Sequence, residues 1–487
     1  MPLFPLTGMK KAYKRVFSVY PPFVGLEASP FQERTREMGK SAAEVLREAK
    51  ARNVRFIQLW FTDILGMLKN FVITFPELAD SLESGSGFDG SSIEGFARIH
   101  ESDLIALPDP ETFRIVPEAL PEKGTPDRGT VARMFCDIKY PTGEPYPGDP
   151  RWVLKQNLER AAKLGYTYYV GPELEYFYFK SSDPNGKPQP LDQGGYFDLT
   201  PLDAASDLRR DTVLMLEALG VPVEYVHHEV ARSQHEIDLR YSEALAMADR
   251  AVTYRLVVKE VAMKYGVYAT FMPKPLMGEN GSGMHTHQSL FRGERNAFFD
   301  PKDQYNLSRV AKQFTAGLLR HSREICAVVS QWVNSYKRLV PGYEAPVYIS
   351  WARRNRSALV RVPEYKPGKE KSTRIEYRAP DPACNPYLAF SVMLAAGLAG
   401  VEGKYELPEP VEEDIFEMTP EERESRGIQL LPGNLFEAIQ EMASSDLVRE
   451  ALGEHVFEKF LANKRIEWDN YRIHVSDYEL QKYLPVL

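Results

Sequence analysis

Cysteine is scarce in this chain of 487 residues, which contains only Cys136, Cys326 and Cys384. They are odd in number and widely separated, so neither a disulfide framework nor a zinc site built on paired cysteines is expected. Scarce and unpaired cysteine is typical of a reducing compartment. We therefore expect a cytoplasmic protein.

Two further absences narrow the class of protein. No apolar run approaches the roughly 18 residues that a membrane helix needs. The net charge of -8 leaves no basic excess from which to build a nucleic-acid surface. Neither a membrane nor a nucleic acid is an expected partner, and an acidic enzyme that binds anionic ligands must concentrate its arginines locally.

The N-terminus leaves two interpretations open, a transit-type segment or a plain extension. Lys10, Lys11 and Lys14 precede any acidic residue, which suits the first interpretation. Pro21 and Pro22 interrupt the only apolar stretch and argue against a signal peptide. We expect residues 1–39 to be a plain extension.

The length exceeds that of a usual single domain, and a hydrophobic fraction of 43% with 26% charged residues is ordinary for a soluble protein. The segment Tyr140–Pro150, with four prolines and two glycines, is the natural linker. We predict a small α+β domain over residues 40–142 and a large domain over 143–487, in which helices pack on a sheet.

Local signals predict several elements. Ser41, with Glu44 three residues later, has the spacing of a helix capping box, and two apolar runs separated at Gly66 predict a hairpin. Apolar periodicity predicts helices over 151–164, 202–219, 242–265 and 307–331, and a strand over 166–179. Ser242 is the expected N-cap of the third of these helices.

Chemically reactive residues recur two positions apart in segments that are typical of strands. Successive strand side chains alternate between faces, so residues i and i+2 project from one face, about 7 Å apart. This spacing is typical of a pocket that binds metal and phosphate rather than of a solvated strand. The pairs are Glu173 with Glu175, His285 with His287, Arg374 with Glu376, and Glu376 with Arg378.

Glu229 and Glu236 converge if the chain turns between Ala231 and Ser233. Carboxylates with one imidazole favour Mg²⁺ or Mn²⁺. Adjacent strand residues point in opposite directions, so at least one of His227 and His228 is expected to pack away from the site. These histidines and His235 are taken as structural.

A glycine-rich loop, Gly278–Gly283, leads into the strand that carries His285 and His287, and its amide groups suit an anionic ligand. Its spacing differs from the dinucleotide-binding fingerprint, and a P-loop is also missing, because Arg34 occupies the required glycine position before Lys40. Any ATP must be bound by another device. Arginines clamp phosphate and carboxylate groups, and the candidates follow the loop along the chain: Arg338, Arg356, Arg361, Arg374 and Arg378.

In order and in spacing, these residues closely resemble class I glutamine synthetase. The matching motifs run from about Val54 to the C-terminus and include Phe88–Phe96, Gly171–Glu175, Pro273–His285, Asn334–Leu339 and Arg374–Tyr387. The resemblance implies an α+β fold with an N-terminal β-grasp domain and a large catalytic domain of antiparallel sheet with surrounding helices. It also implies a dodecamer of two stacked hexameric rings, with active sites between neighbouring subunits.

The resemblance implies roles for individual residues. One metal, Mg²⁺ or Mn²⁺, is held by Glu175, Glu229 and Glu236, and a second by Glu173, His285 and Glu376. ATP is contacted by Glu224, His287, Ser289, Arg361 and Arg374. L-glutamate is contacted by Asn280, Gly281, Arg338 and Arg378, and ammonium by Asp89, Ser92, Tyr196 and Glu229.

The implied reaction has two steps. The γ-carboxylate of L-glutamate attacks ATP to form γ-glutamyl phosphate, with Arg356 neutralising charge, and ammonia then displaces phosphate to give L-glutamine. Asp89 is the implied general base, and Glu344 is the flap residue that closes the site. Two alternatives stay open: a γ-glutamyl ligase that uses an organic amine, and a catalytically silent ring-forming homologue.

Two departures from the family pattern stand out. Between the metal glutamates the family usually has a small turn with glycine, whereas this chain has Arg232 and Ser233. Phe416 replaces the tyrosine that accepts a nucleotide in regulated relatives, so we expect a non-adenylylated enzyme.

Overall fold

The computed structural model describes residues 40–95, 103–117, 129–181, 183, 186–343 and 345–487. The predicted extension over residues 1–39 and the predicted flap residue Glu344 lie outside the described residues.

The strands and helices are numbered here in chain order. The strands are β1 Val54–Thr62, β2 Leu68–Thr74, β3 Ser86–Asp89, β4 Asp103–Pro108, β5 Arg114–Ile115, β6 Thr130–Lys139, β7 Thr167–Phe179, β8 Val223–His228, β9 Gln234–Leu239, β10 Ser242–Glu243, β11 Tyr268–Thr270, β12 Met284–Arg292, β13 Arg295–Asn296, β14 Tyr348–Ala352, β15 Ala358–Arg361 and β16 Ile375–Tyr377. The helices are α1 Ala42–Ala51, α2 Leu78–Ser84, α3 Pro150–Lys163, α4 Ser206–Ala218, α5 Ala244–Lys264, α6 Arg309–Val329, α7 Ser335–Arg338, α8 Pro386–Glu402, α9 Pro420–Ser425, α10 Leu435–Ala443, α11 Asp446–Arg472 and α12 Asp477–Tyr483.

The N-terminal sheet has the strand order β2-β1-β6-β4-β3, with β5 paired to β6. The predicted hairpin is confirmed, because β1 and β2 are antiparallel, and β6 then pairs with β1 in parallel. The predicted capping box of α1 is also present, with Ser41 and Glu44 bonded reciprocally. At the hairpin turn Gly66 has φ +82°, and a Cβ there would lie 2.7 Å from the Asn385 backbone. Only glycine fits this contact between the hairpin and the start of α8.

The second sheet has the order β14-β15-β16-β12-β7-β9-β8 and is antiparallel except at β14 and β15. Strands β10 and β11 pair with β7, and β13 pairs with β12. Helices α6 and α8 pack against each other within the main core, and a smaller core lies in the N-terminal sheet. The predicted α+β class is confirmed, whereas the boundary at residues 142 and 143 stays a prediction.

Two helix starts were predicted too early. Ser242 is not an N-cap, because its backbone pairs with Val170 of β7, and α5 begins at Ala244 after Glu243. The helix predicted from Leu202 begins at Ser206, since the Asp203 side chain accepts from the Ala205 amide and holds a turn before the helix. In the described residues, no helix is long and apolar enough to cross a membrane.

Candidate active site

The central strands of the second sheet carry the predicted acidic and imidazole side chains. Strand register places Glu173 of β7 opposite His285 of β12 on one side and Asp238 of β9 on the other. Two residues further along β7, Glu175 lies opposite Glu236 of β9. Side chains two apart share a face, so the adjacent strands gather these groups at one place.

Three side chains form what we call the Glu376 group: Glu173, His285 and Glu376. Their potential ligand atoms lie within 4.8 Å of one another. His285 Nδ1 is 3.5 Å from Glu173 Oε2 and 3.6 Å from Glu376 Oε1. Arg378 Nη1 donates to Glu376 Oε1 at 2.8 Å, and Arg361 Nε donates to Oε2. The fully buried Glu376 carboxylate is thus paired with two guanidinium groups.

The cations that contact Glu376 outweigh the effect of burial on its carboxyl. Burial alone would raise the pKa of Glu376, but the charges of Arg378 and Arg361 lower it to about 2. Burial followed by the charge of Arg378 lowers the pKa of His285 to about 4. At neutral pH the group therefore offers carboxylates and a neutral imidazole, which is a donor set for a divalent cation.

We call Glu175, Glu229 and Glu236 the Glu236 group. His227 bridges two of them, with Nδ1 at 3.6 Å from Glu229 Oε1 and Nε2 at 3.9 Å from Glu236 Oε2. Glu175 Oε2 accepts from the Gly283 amide at 3.0 Å and from Gln234 Nε2 at 2.8 Å. Among the described residues, no lysine or arginine lies within ion-pair distance of these carboxylates.

Burial and, after it, neighbouring like charges raise the pKa values of two carboxyls in the Glu236 group. Burial and the neighbouring Glu229 raise the pKa of Glu175 well above its usual value, although Arg338 and Arg378 oppose the shift. Burial and Asp238 raise the pKa of Glu236 well above its usual value. Buried carboxylates that face one another need a cation, either a proton or a metal ion.

A small pocket of about 40 Å³ adjoins the Glu236 group and contains all four residues predicted for glutamate: Asn280, Gly281, Arg338 and Arg378. Arg338 is held by donation to the backbone oxygens of Ala379 at 2.8 Å and Arg378 at 3.0 Å. A Cβ on Gly281 would lie 2.5 Å from the Pro273 oxygen, so this position needs glycine. The pocket therefore combines two buried guanidiniums with a closely approaching backbone.

A second pocket, of about 190 Å³, adjoins the Glu376 group and contains four of the five residues predicted for ATP: Glu224, His287, Ser289 and Arg374. Arg374 Nε donates to His287 Nδ1 at 3.2 Å. His287 Nε2 therefore carries the proton that is donated to Glu173 Oε1, at 2.7 Å. The fifth predicted residue, Arg361, reaches this region through its bond to Glu376.

The predicted ammonium residues are not gathered in the same way. Tyr196 lies at the rim, with its ring 5.5 Å from that of His227, and Arg356 is exposed but close enough to influence the pKa of Tyr196, which burial chiefly raises. Asp89 and Ser92 lie at the end of β3 in the N-terminal sheet and are not among the described residues that line either pocket. The ammonium roles of these two residues stay a prediction.

Two residues at the site were missed from the sequence, and a third, His227, lies near its carboxylates. Asp238 lies within 4.8 Å of Glu173 and Glu236, and its two-residue spacing from Glu236 is the same signal that identified the other pairs. Gln234, which donates to Glu175, has the same spacing from Glu236 but carries no charge, and it was not considered. The structural interpretation of His227 stays a prediction, although its ring lies near two site carboxylates, whereas His228 and His235 lie with Asp192.

Family models match both parts of the chain. The model described as the glutamine synthetase β-grasp domain matches residues 53–141, and the glutamine synthetase catalytic domain matches residues 147–483.

Comparison with individual proteins indicates the same family. Glutamine synthetase of Mycolicibacterium smegmatis is 54% identical over 92% of this chain and 100% of its own length. That of Thermotoga maritima is 51% identical over 90% of this chain and 98% of its own length. Among solved structures, a GmaS/ADP complex superimposes with a TM-score of 0.81 at 31% identity, covering 91% of this chain and 99% of its own. Together with the family models, these matches place the chain in the glutamine synthetase family.

Proposed function

We propose that the two carboxylate groups and the two pockets beside them form a cleft that is the active site for an ATP-dependent ligation of ammonia to L-glutamate. Family membership makes the chain such a ligase, which forms L-glutamine, ADP and phosphate. The observation that supports the assignment of this cleft is the meeting of two carboxylate groups with an arginine-lined pocket on each side.

The two donor sets fit divalent cations. The Glu236 group combines the buried Glu175 and Glu236 with the partly exposed Glu229, and among the described residues it has no contacting lysine or arginine. The Glu376 group combines carboxylates with a neutral imidazole. Oxygen donors with one imidazole suit Mg²⁺ or Mn²⁺. Bound there, such ions would neutralise charge on the transferring phosphoryl group.

The remaining residues bind and orient the substrates. Arg338 and Arg378 hold L-glutamate in the smaller pocket, and Asn280 and Gly281 contact it from the loop. ATP occupies the larger pocket, against Glu224, His287, Ser289, Arg361 and Arg374. The glutamate γ-carboxylate oxygen attacks the γ-phosphorus, the bond to ADP breaks, and Arg356 stabilises the negative charge on the phosphoryl oxygens.

Ammonium must lose a proton before its nitrogen can attack γ-glutamyl phosphate. Asp89 takes that proton, with Ser92, Tyr196 and Glu229 completing the ammonium site. The nitrogen lone pair then attacks the acyl carbon, Glu344 takes the second proton that the nitrogen must lose, and phosphate leaves with the electrons of the C–O bond. Closure by the loop around Glu344 keeps water from the acyl phosphate.

The deciding assay measures phosphate release with ATP, Mg²⁺ and L-glutamate, with ammonium or with a panel of small amines. We expect turnover with ammonium and formation of L-glutamine. Turnover with an amine but not with ammonium would instead identify a γ-glutamyl ligase for organic amines, and no turnover with either would favour a silent homologue.

Asp89→Ala tests the role of the base. We expect kcat/KM for ammonium to fall roughly 100-fold, with KM for ATP little changed, because general-base catalysis contributes about that factor. Equal loss of ammonium and ATP use would argue against the role.

Asp89 lines neither pocket, which supports sites shared between subunits, as in a dodecamer of two rings. Exposed apolar side chains on the C-terminal segment, Tyr478, Leu484 and Val486, offer further surface for assembly. Subunits of Asp89→Ala and Glu236→Gln, unfolded and refolded together, should regain about a quarter of wild-type activity, since each shared site needs one sound half from each variant. Sites within single subunits would regain none.

A cytoplasmic location is part of the same proposal and is supported by three buried free cysteines.

A further inference from the structure

Arg232 departs from the family pattern and has no role in the reaction described above. It lies in the turn between Glu229 and Glu236, where its side chain is about half exposed. Instead of projecting into solvent, it reaches across to the glycine-rich loop. Arg232 Nε donates to Glu279 Oε1 at 2.8 Å, Nη2 lies 2.7 Å from the same oxygen, and Nη1 is 3.5 Å from Gln193 Oε1.

Glu279 directly precedes Asn280 and Gly281, the loop residues that line the smaller pocket. At its first residue the loop is not packed against other parts of the chain: Gly278 has φ +83°, and nothing lies within 4 Å of its Cβ position. Its position depends on bonds from outside: Lys274 donates to the Glu279 backbone oxygen, and Gln234 Nε2 donates to the Gly281 oxygen at 3.0 Å. The ion pair between Arg232 and Glu279 is the side-chain contact that holds the Glu279 end of the loop.

We propose that the Arg232–Glu279 ion pair positions the glycine-rich loop for L-glutamate, with Arg232 as a positioning residue rather than a catalytic one. The inference rests on the proposed function, because the smaller pocket must be the glutamate pocket. The pair joins the turn that carries Glu229 and Glu236 to the loop that carries Asn280 and Gly281. Breaking it releases the loop, so glutamate binding must then meet the entropy of ordering it.

The test measures KM for L-glutamate, KM for ATP and kcat in Arg232→Ala, in Glu279→Ala and in the charge-swapped double variant R232E/E279R. We expect each single variant to raise KM for glutamate about three- to fivefold, which is the size of an exposed ion pair, with KM for ATP unchanged. The swap restores part of the loss. Glutamate binding measured by calorimetry with ADP and Mg²⁺ should weaken by the same factor.

A matched control is available in Arg426, whose Nη1 lies 3.0 Å from Glu413 Oε2 in a similarly exposed pair outside both pockets. Arg426→Ala should leave every constant unchanged. Salt gives a second readout: 0.5 M NaCl should raise KM for glutamate in the wild type more than in Arg232→Ala, since screening weakens only an intact pair.

Two results would overturn the proposal: an unchanged KM for glutamate in Arg232→Ala, or an equal rise in KM for glutamate and ATP, which would indicate a general structural role. Failure of the proposed function looks different. In that case the wild-type protein itself makes no glutamine and shows no heat of glutamate binding.

Discussion

The two carboxylate groups of the cleft share strand β7 but differ in how their charge is balanced. In the Glu376 group, Arg361 and Arg378 contact the buried carboxylate directly. In the Glu236 group, the described residues supply hydrogen-bond donors, including Gln234 and the Gly283 amide, but no contacting lysine or arginine. One group is neutralised by the chain itself, and the other would be neutralised by a bound cation.

This difference assigns separate tasks to residues that look alike in the sequence. A carboxylate paired with guanidiniums stays ionised and ordered before any ligand arrives. A cluster of unpaired buried carboxylates is a source of repulsion that a metal ion relieves, so cation binding there stabilises the fold. We therefore expect the Glu236 group to bind the first and tighter ion.

Removing one charge from each group tests most directly whether their charges are balanced differently. Glu236→Gln and Glu376→Gln should each lower phosphate release by roughly 100-fold or more, since each deletes a proposed metal ligand. Without metal, their free energies of unfolding should move in opposite directions. Glu236→Gln removes repulsion with Asp238 and should raise the free energy of unfolding. Glu376→Gln leaves the two guanidiniums without their carboxylate partner and should lower the free energy of unfolding by about 3 kcal/mol.

Urea unfolding in EDTA measures both free energies, with wild type as the reference. A loss of stability in Glu236→Gln as large as that in Glu376→Gln would show that the two groups are balanced alike. The activity loss alone does not distinguish them.

The sequence anticipated the parts of this comparison that depend on local spacing. Two-residue steps identified Glu173 with Glu175 and His285 with His287, because strand alternation is a local property. Which strands become neighbours is decided by long-range pairing, so the contact of Asp238 with Glu173 was not foreseen. The cap predicted at Ser242 failed for the same reason, since pairing with β7 overrode the local signal.

The unusual turn between the metal glutamates also needed the structure. Ser233 adopts φ +60°, a conformation that favours glycine. Its amide donates to Asp192 Oδ1 at 3.0 Å, and its hydroxyl accepts from the Asp192 amide at 2.7 Å. These bonds to a residue 41 positions away hold a serine where the family usually has glycine, and no local pattern encodes them.

The two groups also differ, by a smaller amount, in how their contribution to stability depends on pH. Glu175 and Glu236 have folded pKa values above the ordinary 4.5, so without metal the folded state holds more protons and loses stability as pH rises above 4.5. Glu376, with a pKa of about 2, contributes stability that is present above 4.5 and lost as pH falls towards 2. Mg²⁺ competes with protons for the Glu236 group, so its stabilisation should grow with pH.

Thermal unfolding from pH 5 to 8, with EDTA or saturating Mg²⁺, measures this linkage. At one fixed concentration, equal to 100 times its Kd at pH 8, Mg²⁺ should add about 2.7 kcal/mol at pH 8 and clearly less at pH 5, where its Kd is higher. Glu236→Gln should flatten the dependence. A wild-type gain that is the same at both pH values would mean that the raised carboxyl pKa values do not govern metal binding.

The smallest expected change tests the Glu376 group through Arg361. About one third of this side chain is exposed, whereas Arg378 remains bonded to the buried Glu376 on its other oxygen. Arg361→Met should therefore lower the free energy of unfolding by only about 1 kcal/mol, because solvent screens the pair and one guanidinium remains. Its larger consequence should be a rise in KM for ATP of about tenfold, since Arg361 is also one of the arginines proposed to contact ATP. Arg361→Lys is the matched control, because it keeps the charge without the planar fork and should recover the stability but not the ATP affinity.

If Arg361→Met instead destabilised the protein by as much as Glu376→Gln, Arg378 alone would be insufficient to balance Glu376, and the contrast between the two groups would depend on both arginines together.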